Sequence, residues 1–137
     1  MSGSSLWDLQ VGIFSILEGD VALGLLTNGV YDGEVPPEDE VRTPYVRLGE
    51  WNEVADNLHT RLGREVTVTI HVYSDYRGFK EAKLIGNRVI QLLEHQPISG
   101  TDWRIIVCQF ESAQTIMDPE RIRHNVLVFR LKTGPIV

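Results

Sequence analysis

Between Glu65 and Glu94 the chain changes its hydrophobic period. Val66, Val68, Ile70 and Val72 occupy every second position, with Thr67, Thr69 and His71 between them. This is the two-residue period of a strand with one buried face, reinforced by β-branched side chains. Past Ser74 and Asp75 the apolar residues Ala82, Ile85, Val89 and Leu92 or Leu93 recur every third or fourth position. Lys80, Lys83, Asn87, Arg88 and Gln91 form the opposite, wet side, so an amphipathic helix follows the strand. Ser74 or Asp75 is expected to cap that helix, and Pro97 and Gly100 close the unit.

The same reading predicts the remaining elements. "SSLWDLQVGIFSILEGD" is a helix with Leu6, Leu9, Ile13 and Leu17 on one stripe, widened by Ile16. Ser5 is its expected cap, paired with Asp8 as a short capping box, and Gly19 ends it. Trp7 and Phe14 lie off the stripe, so a second side of this helix meets either the core or a partner chain. Asp20 caps a short second helix, "VALGLLTNG". "VYDGEVPPEDEVRT", Val30 to Thr43, reads as an exposed loop from its Asp32-Gly33 turn signal, its two prolines and its acids. "PYVRLGEW" begins a strand after Pro44. Asn52 to Gly63 is either a second polar excursion or an extension of both flanking strands into a long hairpin. "WRIIVCQFE" and "IRHNVLVFRLK" are further strands, the last ended by Gly134-Pro135 and apolar on both faces, as expected of a strand that is central or covered on both sides. The expected fold is a single α+β domain spanning residues 1–137, in the order α, α, β, β, α, β, β. It has a four-stranded, mostly antiparallel sheet with helices packed on one face.

Size and charge narrow the function. At 137 residues the chain suits one cored domain. A net charge of −6 argues against a duplex-DNA binder, which needs a basic surface to neutralise phosphates. The single cysteine, Cys108, cannot form an internal disulfide, which fits a reducing compartment. "MSGSSLWDLQVG" does not read as a signal peptide, and no apolar run reaches the length of a membrane span. A soluble protein, cytosolic where it is made, is expected.

No motif carries chemistry. His59, His71, His95 and His124 make no metal-ligand spacing with one another or with Cys108, so they read as surface or cross-strand histidines. Cys108 alternates within an apolar strand and reads as buried and inert. Phosphate-loop glycines and a serine elbow are absent. Glu38, Asp39 and Glu40 lack calcium-loop spacing. No catalytic, cofactor-binding or metal residue is assigned, and no enzyme activity is expected. The residues left to explain are basic or aromatic: Arg42, Arg47, Arg61, Arg64, Arg77 and Lys80, with Tyr31, Trp51, Tyr73, Tyr76 and Phe79. The basic set forms a solvated face or meets an acidic partner. The aromatic set closes a small core or meets a neighbour, since large aromatics are favoured at interfaces.

Taken in order, "LWDLQVGIFSILEGD", "VYDGEVPP", "TPYVRLGE", "VTVTIHVYSDYRGFKEAKLIGNRVIQLLE" and "RHNVLVFRLK" resemble the tail-completion, or tail-terminator, family of long-tailed bacteriophages. The acidic "PPEDEVRT" stretch departs from the family's shorter, less charged link. The resemblance implies a structural virion protein at the head–tail junction. Copies of it would form a six-membered ring on the last tier of the tail tube, end polymerisation and present a docking surface for the head. Implied partners are itself, the tail-tube protein and a head-closure or connector protein, with DNA passing through the lumen without specific binding and no membrane. A neighbouring head-closure or head–tail joining protein shares the same implied class, and a monomeric small-molecule-binding domain is the competing class. On this reading the candidate oligomer or tube contacts are Tyr31, Glu38, Asp39, Glu40, Arg42, Trp51, Arg61, Arg64 and His71.

Overall fold

The computed structural model describes residues 3–33, 43–98, 100–117 and 122–136. Three helices, α1 (Leu6–Gly19), α2 (Val21–Leu26) and α3 (Lys80–Leu93), accompany five strands. The strands are β1 (Val30–Asp32), β2 (Tyr45–Ala55), β3 (Arg64–Ser74), β4 (Trp103–Met117) and β5 (Arg123–Pro135), in the spatial order β1-β2-β3-β5-β4. β1 runs parallel to β2, and every other neighbouring pair is antiparallel. β5 lies between β3 and β4, an interior position in the sheet; its core face is apolar, while the other face carries the half-buried Val126 and Val128 and the exposed Arg130 and Lys132.

The α+β architecture with helices on one face agrees with the sequence, but the sheet has five strands rather than four and the order is ααβββαββ. The additional strand is Val30–Asp32, expected as loop. Three residues are too few to show alternation, and the strand exists because it pairs with Val46, Arg47 and Leu48. Asn52 to Ala55 extends β2, so the long-hairpin alternative holds and the connection shrinks to residues 56–63. β4 runs six residues past the expected Glu111, through Ser112 to Met117, where the side chains are exposed on both faces and leave no pattern.

The core lies between the helices and one sheet face. Val66, Val68, Ile70 and Val72 are fully buried there, as their alternation requires, with Leu127, Phe129 and Leu131 from β5 and Val46 and Leu48 from β2. α3 contributes Ala82, Ile85, Val89 and Leu93, and α1 contributes Leu9, Ile13 and Leu17. At about 25 cal/mol per Å² of apolar surface, this burial is the dominant stabilising effect. Phe14 packs partly buried against the core, whereas Trp7 is 68% exposed.

Two expected caps are replaced by other hydrogen bonds, distant in sequence at α1 and local at α3. Ser5 stands at the N-cap of α1 but makes no side-chain cap. Its backbone N–H and its hydroxyl instead donate to the Glu53 carboxylate at 2.8 and 2.6 Å, and Thr133 donates to its Oγ at 3.1 Å. Asp8 accepts from the backbone of Asp102 and Trp103, both at 2.8 Å. At α3 the N-cap is Phe79, without a side-chain cap. Ser74 instead donates to Glu81 at 2.6 Å and accepts from Tyr76 N–H at 3.1 Å. Asp20 caps α2 as expected, accepting from Leu23 N–H at 2.8 Å, and also receives Arg88 of α3 through two bonds of 2.9 and 2.8 Å.

Candidate functional site

The face of the sheet turned away from α1 and α3 holds the densest cluster of polar and aromatic side chains among the described residues. Its position follows from strand register. Arg47 is opposite His71, and Tyr45 is opposite Tyr73, on β2 and β3. Tyr73 is opposite His124 on β5. Side chains on one face of directly paired residues lie close enough to touch, and diagonal neighbours can be reached by rings.

A β-bulge completes the cluster. Between Leu48 and Trp51 the register shifts, so Gly49 and Glu50 together face one residue of β3. The bulge turns Glu50 toward His71, whose Nε2 lies 2.7 Å from Glu50 Oε2. Gly49 makes room for the ring: a Cβ there would stand 2.5 Å from His71 Cδ2 and Nε2 and 3.0 Å from the Thr69 carbonyl oxygen. On its other side His71 Nδ1 meets His124 Nε2 at 2.7 Å. Tyr73 stacks on His124 with centroids 4.3 Å apart and meets Tyr45 at 4.9 Å. Tyr45 is edge-on to Tyr31 at 6.0 Å. Arg47 donates to the Tyr73 hydroxyl at 3.2 Å. The hydrogen bond from His71 holds the Glu50 carboxyl below the ordinary carboxylate range, helped by a backbone bond and partly opposed by desolvation.

The candidate residues separate into distinct places. Tyr31 and His71 are brought into one cluster. Trp51 projects to the other face, opposite Val68, and packs partly buried against the core. Arg61 is exposed in the 56–63 connection, where Leu58 and Arg61 form an isolated bridge. Arg64 is an internal tie: it donates to Asn57 Oδ1 and Gly3 O at 3.0 Å each and lies 5.1 Å over the Trp103 ring. Glu38, Asp39, Glu40 and Arg42 lie outside the described residues. Glu50, Tyr45 and His124 join the cluster without having been singled out. Their signal is register: once β2, β3 and β5 are aligned, these residues share the face of His71.

Aromatic rings, an arginine and a carboxylate suit a protein partner. Cys108, the one thiol, is 1% exposed, and burial with the nearby Glu94 charge pushes it up to about 12. That leaves it protonated and unreactive at neutral pH. Among the described residues no group of three histidine, cysteine or carboxylate side chains is placed to hold a metal ion. The helical layer carries exposed apolar residues of its own, Val21, Leu25 and Leu84, with Tyr76 beside an open groove of about 280 Å³.

The chain was compared with known proteins. A family model described as Tail completion protein gp17 matches residues 11–134. Among solved structures, a chain from the virion of a native gene transfer agent particle is 25% identical, with a TM-score of 0.88 over 97% of this chain and 99% of that one. The bacteriophage SPP1 gp17 protein is 22% identical over 95% of both chains, with a TM-score of 0.57, a likeness of fold. A search of curated proteins by sequence returned no match.

Proposed function

The chain belongs to the phage tail completion protein gp17 family, and from that premise we propose that it is a structural virion protein of a phage neck, a tail terminator. Six copies form a ring that caps the tail tube, ends its polymerisation and gives the head its docking surface. The observation that carries this reading is the family match over residues 11–134, joined to the near-complete overlap with a chain of a gene transfer agent virion. The protein would be assembled in the bacterial host cytoplasm and reside at the head–tail junction, with the tail-tube protein and a head-closure or connector protein as its neighbours.

The physical character of the molecule supports the reading. A ring subunit needs a rigid body and two different surfaces, because head-to-tail contacts are heterologous. The sheet face around Tyr31 and His71 and the apolar helical surface around Leu25 and Leu84 are two such surfaces, and the 56–63 connection with Arg61 reaches beyond both strands it joins. A net charge of −6 suits a lumen through which DNA passes without being held.

The test is direct addition of the purified chain to growing tail tubes. A terminator stops elongation and sits at one tube end. Tubes that grow at the same rate and to the same length distribution with and without it contradict the reading and favour a neighbouring head-closure role.

A further inference from the structure

On the sheet face turned away from α1 and α3, three titratable side chains from three strands form one hydrogen-bonded line: Glu50 on β2, His71 on β3 and His124 on β5. Each of the two links measures 2.7 Å. Among the described residues, side chains of four strands neighbour the line. β2 supplies Glu50, Arg47 and Tyr45, and β3 supplies Tyr73. β5 adds Val126, opposite His71. β4 places Ile116 opposite His124 and Gln114 opposite Val126, neither of them charged.

Hydrogen-bonding capacity fixes the protons. An ionised carboxylate only accepts, so His71 carries a hydrogen on Nε2 and donates it to Glu50. A neutral imidazole protonated on Nε2 has an acceptor at Nδ1, so His124 Nε2 carries a hydrogen and donates it to His71. One proton lies between the two rings. Adding one proton to the pair keeps that count. If His124 becomes the cation it still donates to His71; if His71 becomes the cation it donates from Nδ1 to His124. Adding a second proton leaves N–H facing N–H across 2.7 Å, with two positive charges and no lone pair between them.

We propose that Glu50, His71 and His124 form a proton-counted latch that ties β2 to β5 across β3. The latch is closed while at most one imidazole is charged and opens when both are. Opening frees the Tyr73 ring, stacked on His124 and bonded by Arg47, and with it Tyr45. This sheet face therefore presents a different arrangement of rings in acid. The latch is a property of the single chain and does not depend on the ring reading.

The test is nitrogen-15 NMR of the histidine side chains in the free full-length chain, titrated from neutral pH into acid. At neutral pH both imidazoles are expected to carry hydrogen on Nε2, with a through-bond nitrogen–nitrogen coupling between His71 Nδ1 and His124 Nε2. The coupling persists through uptake of one proton by the pair and disappears with the second, when the Tyr73 ring resonances move. His124→Gln can still donate to His71 Nδ1 and has no second imidazole, so it keeps Tyr73 fixed across the same range. Gly49→Ala alters no titratable group but displaces the His71 ring, and loses the coupling at every pH. Hydrogen on Nδ1 of neutral His71, absence of the coupling in the wild-type chain, or Tyr73 resonances that move identically in His124→Gln each overturn the latch. So does global unfolding before the second proton binds. The wild-type titration alone decides the matter if either variant fails to fold.

Discussion

At the scale of single residues, glycine and carboxylate positions carry the sharpest consequences. Gly49→Ala places a Cβ against the His71 ring and the Thr69 carbonyl, and overpacking of this kind costs about 1–3 kcal/mol. Denaturant melts of the two proteins measure it. Ser5→Ala removes a buried hydroxyl that donates to the Glu53 carboxylate at 2.6 Å. A hydrogen bond to a charged group contributes about 1.5–3 kcal/mol, so a loss in that range is expected in the same assay. Burial alone would raise the Glu53 carboxyl, but hydrogen bonds from Ser5 and Ser4 and the nearby Arg64 charge outweigh it and leave it lowered. Asp20 and Glu50 are lowered too, by Arg88 and by His71. A depressed folded value means the stabilisation is present above the unfolded carboxylate range and lost as pH falls through the folded value. Stability should therefore fall below about pH 4, and Glu53→Gln should show a shallower fall in pH-dependent melts. None of these roles was legible locally. Ser5 and Asp8 looked like a capping box because their spacing fits one, yet each bonds to a residue more than 40 positions away, and sequence spacing carries no information about such partners.

At the scale of elements, the sequence was informative wherever burial is one-sided. The alternation of β3 and the stripe of α3 predicted the residues each turns to the core, but His71, on the opposite face of β3, is buried as well. β1 and the end of β4 escaped, since one is held only by pairing to β2 and the other is wet on both faces. The candidate site was hidden for the same reason: it is made by register between strands, and the β2 bulge that aims Glu50 cannot be counted from β2 alone. Trp51 shows the effect in one residue. Its sequence left a core position and a contact position both open, and the bulge sets it on the core face opposite Val68. Trp51→Ala is accordingly expected to destabilise the isolated chain by about 2–3 kcal/mol, somewhat below the 3–5 kcal/mol of a fully buried aromatic. A thermal melt that leaves the monomer unchanged while assembly fails would instead make Trp51 a contact residue. Asp20→Ala should cost about 1 kcal/mol or more through loss of the α2 cap, read as lowered stability with α2 amides exchanging first.

At the scale of the whole molecule, the proposed role of this α+β body rests on its surfaces. The buried, protonated Cys108 illustrates the absence of exposed nucleophilic chemistry at the one thiol: it should resist alkylation in the folded chain at neutral pH and react after denaturation, as mass spectrometry would show. The acidic net charge, the polar and aromatic sheet face and the exposed apolar helical surface all suit the proposed subunit, surrounded by its own copies. The most direct test of the central claim is electron microscopy of tail tubes grown with and without the purified chain, with its mass in solution measured in parallel. A tail terminator would appear as a six-membered ring at one end of each tube, with elongation arrested. A chain that stays monomeric at every concentration and leaves tube ends bare and tube length unchanged would contradict that claim.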